Sequence, residues 1–193
     1  MDDNSDRDNG LILASASARR RKILSELGVR FSVLCPPDDE ESGGPPDRTV
    51  RTNSLRKLLW CRKIRPSNRI LAADTVVVFG GAAIGKPRDR SEAASWFRAF
   101  SGREQVVITG VAYLDRLGVV REDVVSSVVC FRDLSDGDIA RYLDVVDPLD
   151  KAGGYDIDQS RELIVERWEG SRTNIMGLPV ELVAVWLRED GLL

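Results

Sequence analysis

One apolar run near the middle of the chain constrains the fold more than any other feature. Residues 69–79 read RILAADTVVVF and are followed by Gly80-Gly81. The length and β-branched content of this run predict a buried central strand that turns at the glycines into a return strand, Ala82–Ile84. Inside such a strand the carboxylate of Asp74 is costly unless it is paired, hydrogen-bonded or metal-bound. Asp74 is therefore either part of a structural network or a functional group that holds a metal or activates water.

The remaining pattern mixes strands and helices. Further strands are predicted at Leu11–Ala14, Phe31–Cys35, Val106–Leu114, Val119–Phe131 and Leu163–Trp168. Helices are predicted at Arg19–Leu27, within Asp47–Lys63, and at Ser91–Phe100, Ser135–Val145 and Leu178–Leu187. Because hairpins join some neighbouring strands while helices separate others, the pattern favours an α/β domain with a mixed sheet over a strict βαβ series.

Composition narrows the chemistry that this chain can perform. None of the 193 residues is histidine, which excludes histidine general bases, histidine metal ligands and Ser-His-Asp catalysis. A hard metal ion would therefore be bound by carboxylates. The acidic stretch Asp38–Glu41 either forms a solvated loop or supplies one ligand to a divalent cation.

Charge and hydropathy limit the partners and the location. The net charge of −3 argues against a nucleic-acid or membrane-surface binder, and no apolar run reaches the length of a membrane span. The three cysteines are far apart and odd in number, so we expect free thiols in a reducing compartment. We expect a cytoplasmic protein in which residues 1–9 form a disordered leader, with no signal peptide, and residues 10–193 form a single domain.

A cation-rich segment, Ser15–Arg20, lies between the first predicted strand and the first predicted helix. Its small residues allow a ligand to approach the backbone, and the positive end of a helix dipole suits phosphate. Helical spacing places Arg20 in line with the apolar stripe of that helix and Arg19 at the edge of the stripe. The segment is therefore either an anion site or a solvated basic first turn.

A second candidate phosphate ligand is Lys86. Residues 80–86 fit the first seven positions of the phosphate-loop pattern G-x-x-x-x-G-K. We reject that motif because Pro87, at the eighth position, has neither the hydroxyl nor the N–H that the loop requires. Lys86 remains either a point charge for a phosphate or an exposed turn residue.

A third candidate is the segment 150–159, which reads DKAGGYDIDQ. Its two glycines allow close approach of a ligand, and Lys151 can neutralise a phosphate. The acidic and amide side chains that follow Tyr155 can read the edge of a base. The alternative is an ordinary glycine-rich turn.

Taken together and in order, these segments resemble the Maf family of nucleotide pyrophosphatases. The similarity spans residues 11–187 and comprises LAS-x-S-x-RR at 13–20, Glu40, ADTVV at 73–77, GKP at 85–87, SG at 101–102, TGV at 109–111, P-x-DKAGGY at 148–155 and GLP at 177–179. The resemblance implies a Maf/ITPase-like α/β fold, with an elongated mixed β-sheet flanked by helices, two lobes and a central cleft. It also implies a homodimer.

The resemblance implies hydrolysis between the α- and β-phosphates of a nucleoside triphosphate, dependent on Mg²⁺ or Mn²⁺. Asp74 matches the proton acceptor, and we expect Asp74 and Glu40 to bind the metal. Positions tied to substrate choice match Arg19, Thr75 and the glutamine after Y-x-I. The polar positions of the cleft match Ser15, Arg20, Lys57, Lys86 and Lys151.

One subgroup of the family, described as preferring dTTP and UTP, resembles this chain at Arg19-Arg20, Asp74-Thr75 and Asp150-Lys151. Modified pyrimidine nucleotides are an alternative substrate. At the far end of the pocket Asp158 stands in place of the family glutamine, and Gln159 takes over if the loop shifts by one residue. An aspartate can accept a hydrogen bond from the N3–H of uracil or thymine but cannot donate to a carbonyl.

The rival hypothesis from another class is a non-catalytic nucleotide-binding regulator of septum formation. It predicts nucleotide binding without turnover. A nucleic-acid binder built on the basic residues 19–22 is disfavoured by the net negative charge.

Overall fold

The computed structural model describes residues 10–37 and 43–193. The expected leader, residues 1–9, and the acidic stretch Asp38–Glu41, which includes Glu40, lie outside the described residues. The described strands are β1 (Leu11–Leu13), β2 (Phe31–Val33), β3 (Arg69–Phe79), β4 (Ala82–Ile84), β5 (Glu104–Leu114), β6 (Val120–Phe131) and β7 (Val165–Glu169). The described helices are α1 (Ala18–Glu26), α2 (Pro46–Ile64), α3 (Arg90–Phe100), α4 (Asp136–Val145), α5 (Arg172–Ile175) and α6 (Val180–Glu189).

The strands form one mixed sheet in the order β2-β1-β3-β5-β6-β7, with β4 paired to β3. Strand β1 runs parallel to both β2 and β3, whereas β3–β4 and β6–β7 are antiparallel pairs. The prediction of an α/β protein with a mixed sheet is therefore confirmed. The predicted bounds of β3 and β4 match the structure, since the apolar run and the Gly-Gly turn are strong local signals.

Strand β3 is long enough to pair with two partners along one edge. Its first residues pair with β1, where Leu71 aligns with Leu13, and its last residues pair with β4, beginning at Val77. Asp74 lies between these two pairings, just beyond the carboxyl end of β1. In sheets with parallel strands this is the edge at which ligands commonly bind.

The C-terminal third contains two features that periodicity did not predict. The four-residue helix α5 is too short to show a helical repeat. The strand predicted to begin at Leu163 begins at Val165, because Arg161–Leu163 forms a 3₁₀ turn. Ser160, which precedes that turn, has φ of +48° and is the one non-glycine residue with positive φ in the part of the chain that the structure describes.

The described residues divide into two compact units. The first contains the chain up to Asp74, then Thr109–Val125 and Gly177–Leu193, and the second contains Thr75–Ile108 and Ser126–Met176. The first unit has an aliphatic core between α2 and the sheet, formed by Ile12, Ala14, Leu58, Cys61, Ile70, Ala72, Ala112 and Leu114. The second has an aromatic core formed by Phe79, Phe97, Phe100, Phe131, Tyr142 and Tyr155.

Candidate active site

The Asp74 carboxylate is buried and bound by two side chains of α2. Its Oδ1 accepts a hydrogen bond from Lys57 Nζ at 2.7 Å, and its Oδ2 accepts one from Asn53 Nδ2 at 3.1 Å. Burial alone raises the pKa of this carboxyl, but Lys57, Arg20 and Asn53 together hold that pKa below its usual range. Asp74 is therefore ionised at neutral pH.

Helix α2 presents these two groups because of their spacing. Asn53 and Lys57 are four residues apart and share one helical face, together with the buried apolar residues Val50, Leu58 and Cys61. The helix approaches β5 closely at Gly110, where a Cβ atom would lie 2.4 Å from the carbonyl oxygen of Val50. Because Val50 precedes Asn53 by one helical turn, the missing side chain at Gly110 is what allows the helix to reach Asp74.

The cation-rich segment contributes one buried arginine to the same unit. Arg20 donates from Nε to the carbonyl oxygen of Gly177 at 2.8 Å and from Nη1 to Ser15 Oγ at 3.2 Å. Both Ser15 and Arg20 are buried, and Ser17 caps α1 by accepting from the backbone N–H of Arg20. The positive charge of Arg20 contributes to the lowering of the Asp74 pKa. The alternative of a solvated first turn does not apply to Arg20.

Arg19 and Thr75 are each adjacent in the chain to one of these site residues. Arg19 is half-buried and immediately precedes Arg20 on α1. Thr75 is half-buried and immediately follows Asp74 on β3, where it is the first residue of the second unit. Their assignment to substrate choice stays a prediction.

In the second unit two of the predicted phosphate segments are joined. The backbone N–H of Gly153 donates to the carbonyl oxygen of Gly85 at 2.9 Å. Gly154 has φ of +76°, and a Cβ atom added there would make an ordinary contact with the Pro87 ring at 3.5 Å, so these loops pack against each other. Lys86, on this joined pair of loops, is exposed and so accessible to an anion.

Lys151 differs from Lys86 because it is buried and already bound. Its Nζ donates to the carbonyl oxygen of Asp147 at 2.9 Å and forms an ion pair with Asp150. The Asp150 side chain is 70 % exposed, so the carboxylate side of this ion pair faces solvent.

The segment that follows Tyr155 is a tight turn with a fixed backbone. The N–H of Asp156 donates to Tyr142 Oη at 2.8 Å, and the N–H of Asp158 donates to Asp156 Oδ1 at 2.9 Å. The Asp158 carboxylate forms an ion pair with Arg172 of α5. Gln159 is exposed.

The side chains that could bind a divalent cation are carboxylates and thiolates. In residues 10–37 and 43–193, no group of three or more Cys, Asp or Glu side chains is placed to hold one. Asp74 nevertheless suits Mg²⁺, which proteins commonly bind through one or two carboxylates together with substrate phosphates. It is ionised, and its two hydrogen bonds use two of the about four acceptor positions of a carboxylate. The described residues therefore fit a cation that Asp74 shares with a phosphorylated substrate.

Reasoning from the sequence missed three groups that bind predicted site residues: Asn53, Arg172 and the carbonyl of Gly177. Asn53 could have been found from the sequence, since it is a polar residue one turn before Lys57 on the helical face that carries Val50, Leu58 and Cys61. Neither Arg172 nor the carbonyl of Gly177 could have been found in this way, because each contact joins residues distant in the sequence.

Comparison with a solved structure agrees with this class of α/β fold. A HAM1 protein from Coxiella burnetii is 14 % identical, with a TM-score of 0.51 over 94 % of this chain and 99 % of that one. At this identity the likeness concerns the fold alone. Within the described residues, no helix is both long and apolar enough to cross a membrane.

The family follows from sequence comparison. The chain belongs to the Maf family, whose model, described as Maf-like protein, matches residues 10–190. A relative from Thermotoga maritima is 40 % identical over 184 residues, which cover 94 % of this chain and 89 % of the relative. A relative from Anaeromyxobacter dehalogenans strain 2CP-C is 41 % identical over 184 residues, covering 94 % of both chains. Each of these relatives is named dTTP/UTP pyrophosphatase.

Proposed function

We propose that this protein is a nucleoside triphosphate pyrophosphatase that hydrolyses dTTP and UTP, or modified forms of these nucleotides, to the monophosphate and pyrophosphate. Such an enzyme removes unwanted nucleotides from the cellular pool. The observation that carries the proposal is the buried, ionised carboxylate of Asp74, which Lys57 and Asn53 hold by hydrogen bonds and whose pKa the charge of Arg20 also lowers. The name shared by the two relatives supports the choice of substrate.

The proposed reaction is attack of water on the α-phosphorus. A bond forms between the water oxygen and the α-phosphorus, the bond to the bridging oxygen of the β-phosphate breaks, and pyrophosphate leaves. Asp74 orients the water and accepts its proton. Because its pKa is below the usual range, Asp74 is a weak base, and orientation is its larger contribution. When bound, Mg²⁺ or Mn²⁺ held by Asp74 and the substrate phosphates, with Glu40 as a further ligand, would lower the pKa of a bound water.

The cations of the site offset the charge of the phosphates. Arg20 is fixed by Ser15 and Gly177, so little conformational entropy is lost when it binds an anion. In the second unit we assign Lys86 and Lys151 to phosphate binding, the first as an exposed point charge and the second after exchange of Asp150. We assign Arg19, Thr75, Asp158 and Gln159 to recognition of the nucleoside.

We also propose a cytoplasmic location and a homodimeric assembly. All three cysteines are free thiols, which agrees with a cytoplasmic protein. The homodimer implied by the family resemblance stays a prediction.

The proposal is tested with a panel of nucleoside triphosphates, with Mg²⁺, with Mn²⁺ and after chelation, scored for pyrophosphate against phosphate. We expect pyrophosphate from UTP and dTTP, loss of activity on chelation, and loss of most activity in Asp74→Asn with the fold intact. Release of single phosphates would contradict the proposed reaction. Binding without turnover of any nucleotide would favour the regulator of septum formation instead.

A further inference from the structure

The ion pair between Asp158 and Arg172 has a fixed backbone on both sides. Asp158 lies in the turn anchored by Tyr142 Oη and Asp156 Oδ1. Arg172 begins α5, whose cap Ser171 accepts from the N–H of Asn174. The Asn174 amide in turn donates to the carbonyl oxygen of Val107 at 3.2 Å and to Ser127 Oγ at 3.0 Å, in the interior of the unit. Neither partner of the pair is carried by a loose loop.

The exposure of the pair suits recognition of a ligand. The Asp158 side chain is 17 % exposed, whereas that of Arg172 is 48 % exposed. The carboxylate is therefore partly removed from water while the guanidinium is accessible. Ser160, two residues beyond Asp158, has the left-handed φ of +48° noted above. Uncommon backbone conformations of this kind concentrate at functional sites.

The pair combines hydrogen-bond acceptors and donors, whereas an ionised aspartate by itself supplies acceptors only. Asp158 offers acceptors only, and Arg172 offers donors only, five N–H groups in a planar fork. One of these, on Nη2, is directed at Asp158 Oδ1. An acceptor and a donor fixed side by side match the imide edge of uracil or thymine, where the N3–H donates and the flanking carbonyl oxygens accept.

We propose that Arg172 is a specificity-determining residue, and that Asp158 and Arg172 together read the imide edge of a pyrimidine as a single side-chain amide would. Asp158 accepts from N3–H while Arg172 donates to an adjacent carbonyl oxygen. This inference rests on the proposed pyrimidine nucleotide pyrophosphatase activity. It assigns to Arg172 the donor that Asp158 cannot supply.

The test compares UTP with 3-methyluridine triphosphate, which lacks the N3–H. In the wild type we expect kcat/KM for UTP to exceed that for the methylated analogue by about tenfold or more. The N3 methyl group prevents the imide edge from seating against the pair, so only UTP gains from the contacts with Asp158 and Arg172. Arg172→Leu and Asp158→Gln should therefore each lower kcat/KM for UTP by about tenfold, change kcat/KM for the methylated analogue much less, and so narrow the ratio between the two substrates. Arg172→Lys keeps the ion pair and the fold but lacks the planar fork, and it should narrow the ratio too.

The double variant Asp158→Gln/Arg172→Leu is the decisive one. A glutamine that no longer bonds to the arginine supplies both the acceptor and the donor. We therefore expect kcat/KM for UTP, and its ratio to kcat/KM for the methylated analogue, to be higher in the double variant than in either single variant. Arg167→Leu is the matched control, since Arg167 is 51 % exposed and paired with Glu169 and Glu104 in the same unit. It should leave the ratio unchanged.

The outcomes separate the two claims. Suppose that the wild type releases pyrophosphate from UTP. The role proposed for Arg172 is then wrong if the single variants keep the wild-type ratio of kcat/KM values. It is also wrong if kcat/KM of the double variant for UTP is no higher than that of the less active single variant. A merely structural pair would lower activity on both substrates equally. If the wild type releases no pyrophosphate from either substrate, it is the proposed function that fails.

Discussion

Lys57 Nζ lies 2.7 Å from Asp74 Oδ1, and the two side chains are only 14 % and 5 % exposed. A buried pair of this kind keeps the carboxylate ionised, because protonation would leave the ammonium without its partner. Lys57 holds one oxygen of the Asp74 carboxylate and Asn53 holds the other, so together they fix the direction in which the carboxylate points. Asp74 is thus positioned before any substrate arrives.

Lys57→Met should lower kcat/KM and change its pH dependence. Removing the ammonium raises the pKa of Asp74, so the acid limb of kcat/KM should move to higher pH. The loss of one charged hydrogen bond predicts a fall in kcat/KM of about tenfold to a hundredfold at neutral pH. Lys63→Met, at an exposed position of the same helix, is the control. An acid limb that stays in place would show that Lys57 does not govern the protonation of Asp74.

Gly110→Ala should reduce both stability and activity. The new Cβ atom would lie 2.4 Å from the Val50 carbonyl oxygen, so α2 must move away from β5. Overpacking of this kind costs about 1 to 3 kcal/mol, and the shift would draw Asn53 and Lys57 away from Asp74. Gly137→Ala on α4 is the control, because its Cβ atom would make an ordinary contact at 3.6 Å. Unfolding in urea measures the loss of stability, and kcat/KM measures the loss of activity. An unchanged kcat/KM would show that activity does not depend on the position of α2.

Asp190→Ala should strongly destabilise the first unit. Asp190 is buried and accepts from Tyr113 Oη at 2.6 Å and from Arg69 Nε at 2.7 Å. Removing one partner of a buried ion pair typically costs about 3 to 5 kcal/mol. The exposed pair of Arg90 with Asp144 gives the control Asp144→Ala, expected to cost less than about 1 kcal/mol. Similar unfolding free energies for the two variants would contradict the importance of this network.

Asp138 should contribute stability that depends on pH. The hydroxyl and backbone N–H of Ser135 and the side chain of Arg141 lower the pKa of Asp138 to about 2 in the folded protein. A depressed folded pKa means that the contribution is present above the unfolded pKa, about 3.9, and is lost as the pH falls to about 2. The difference in Tm between wild type and Asp138→Asn should therefore shrink over this range. A difference independent of pH would rule out the carboxylate as its source.

The sequence predicted local features well and distant contacts poorly. The bounds of β3 and the Gly-Gly turn follow from short-range pattern, and so does the burial of Asp74 within the strand. The partners that bind Asp74 come from α2, and only tertiary packing at Gly110 brings them there. Asn53 was detectable as a polar residue on the helical face that carries Val50, Leu58 and Cys61. Arg172 was not, because its helix has four residues and its ion-pair partner is fourteen positions away.

Hydrolysis of UTP in ¹⁸O-labelled water tests the central claim most directly, because the label marks the phosphorus that water attacks. Attack at the α-phosphorus predicts one ¹⁸O atom in UMP and none in pyrophosphate, with the rate largely abolished in Asp74→Asn. Label in phosphate or pyrophosphate, or an undiminished rate in Asp74→Asn, would contradict the account.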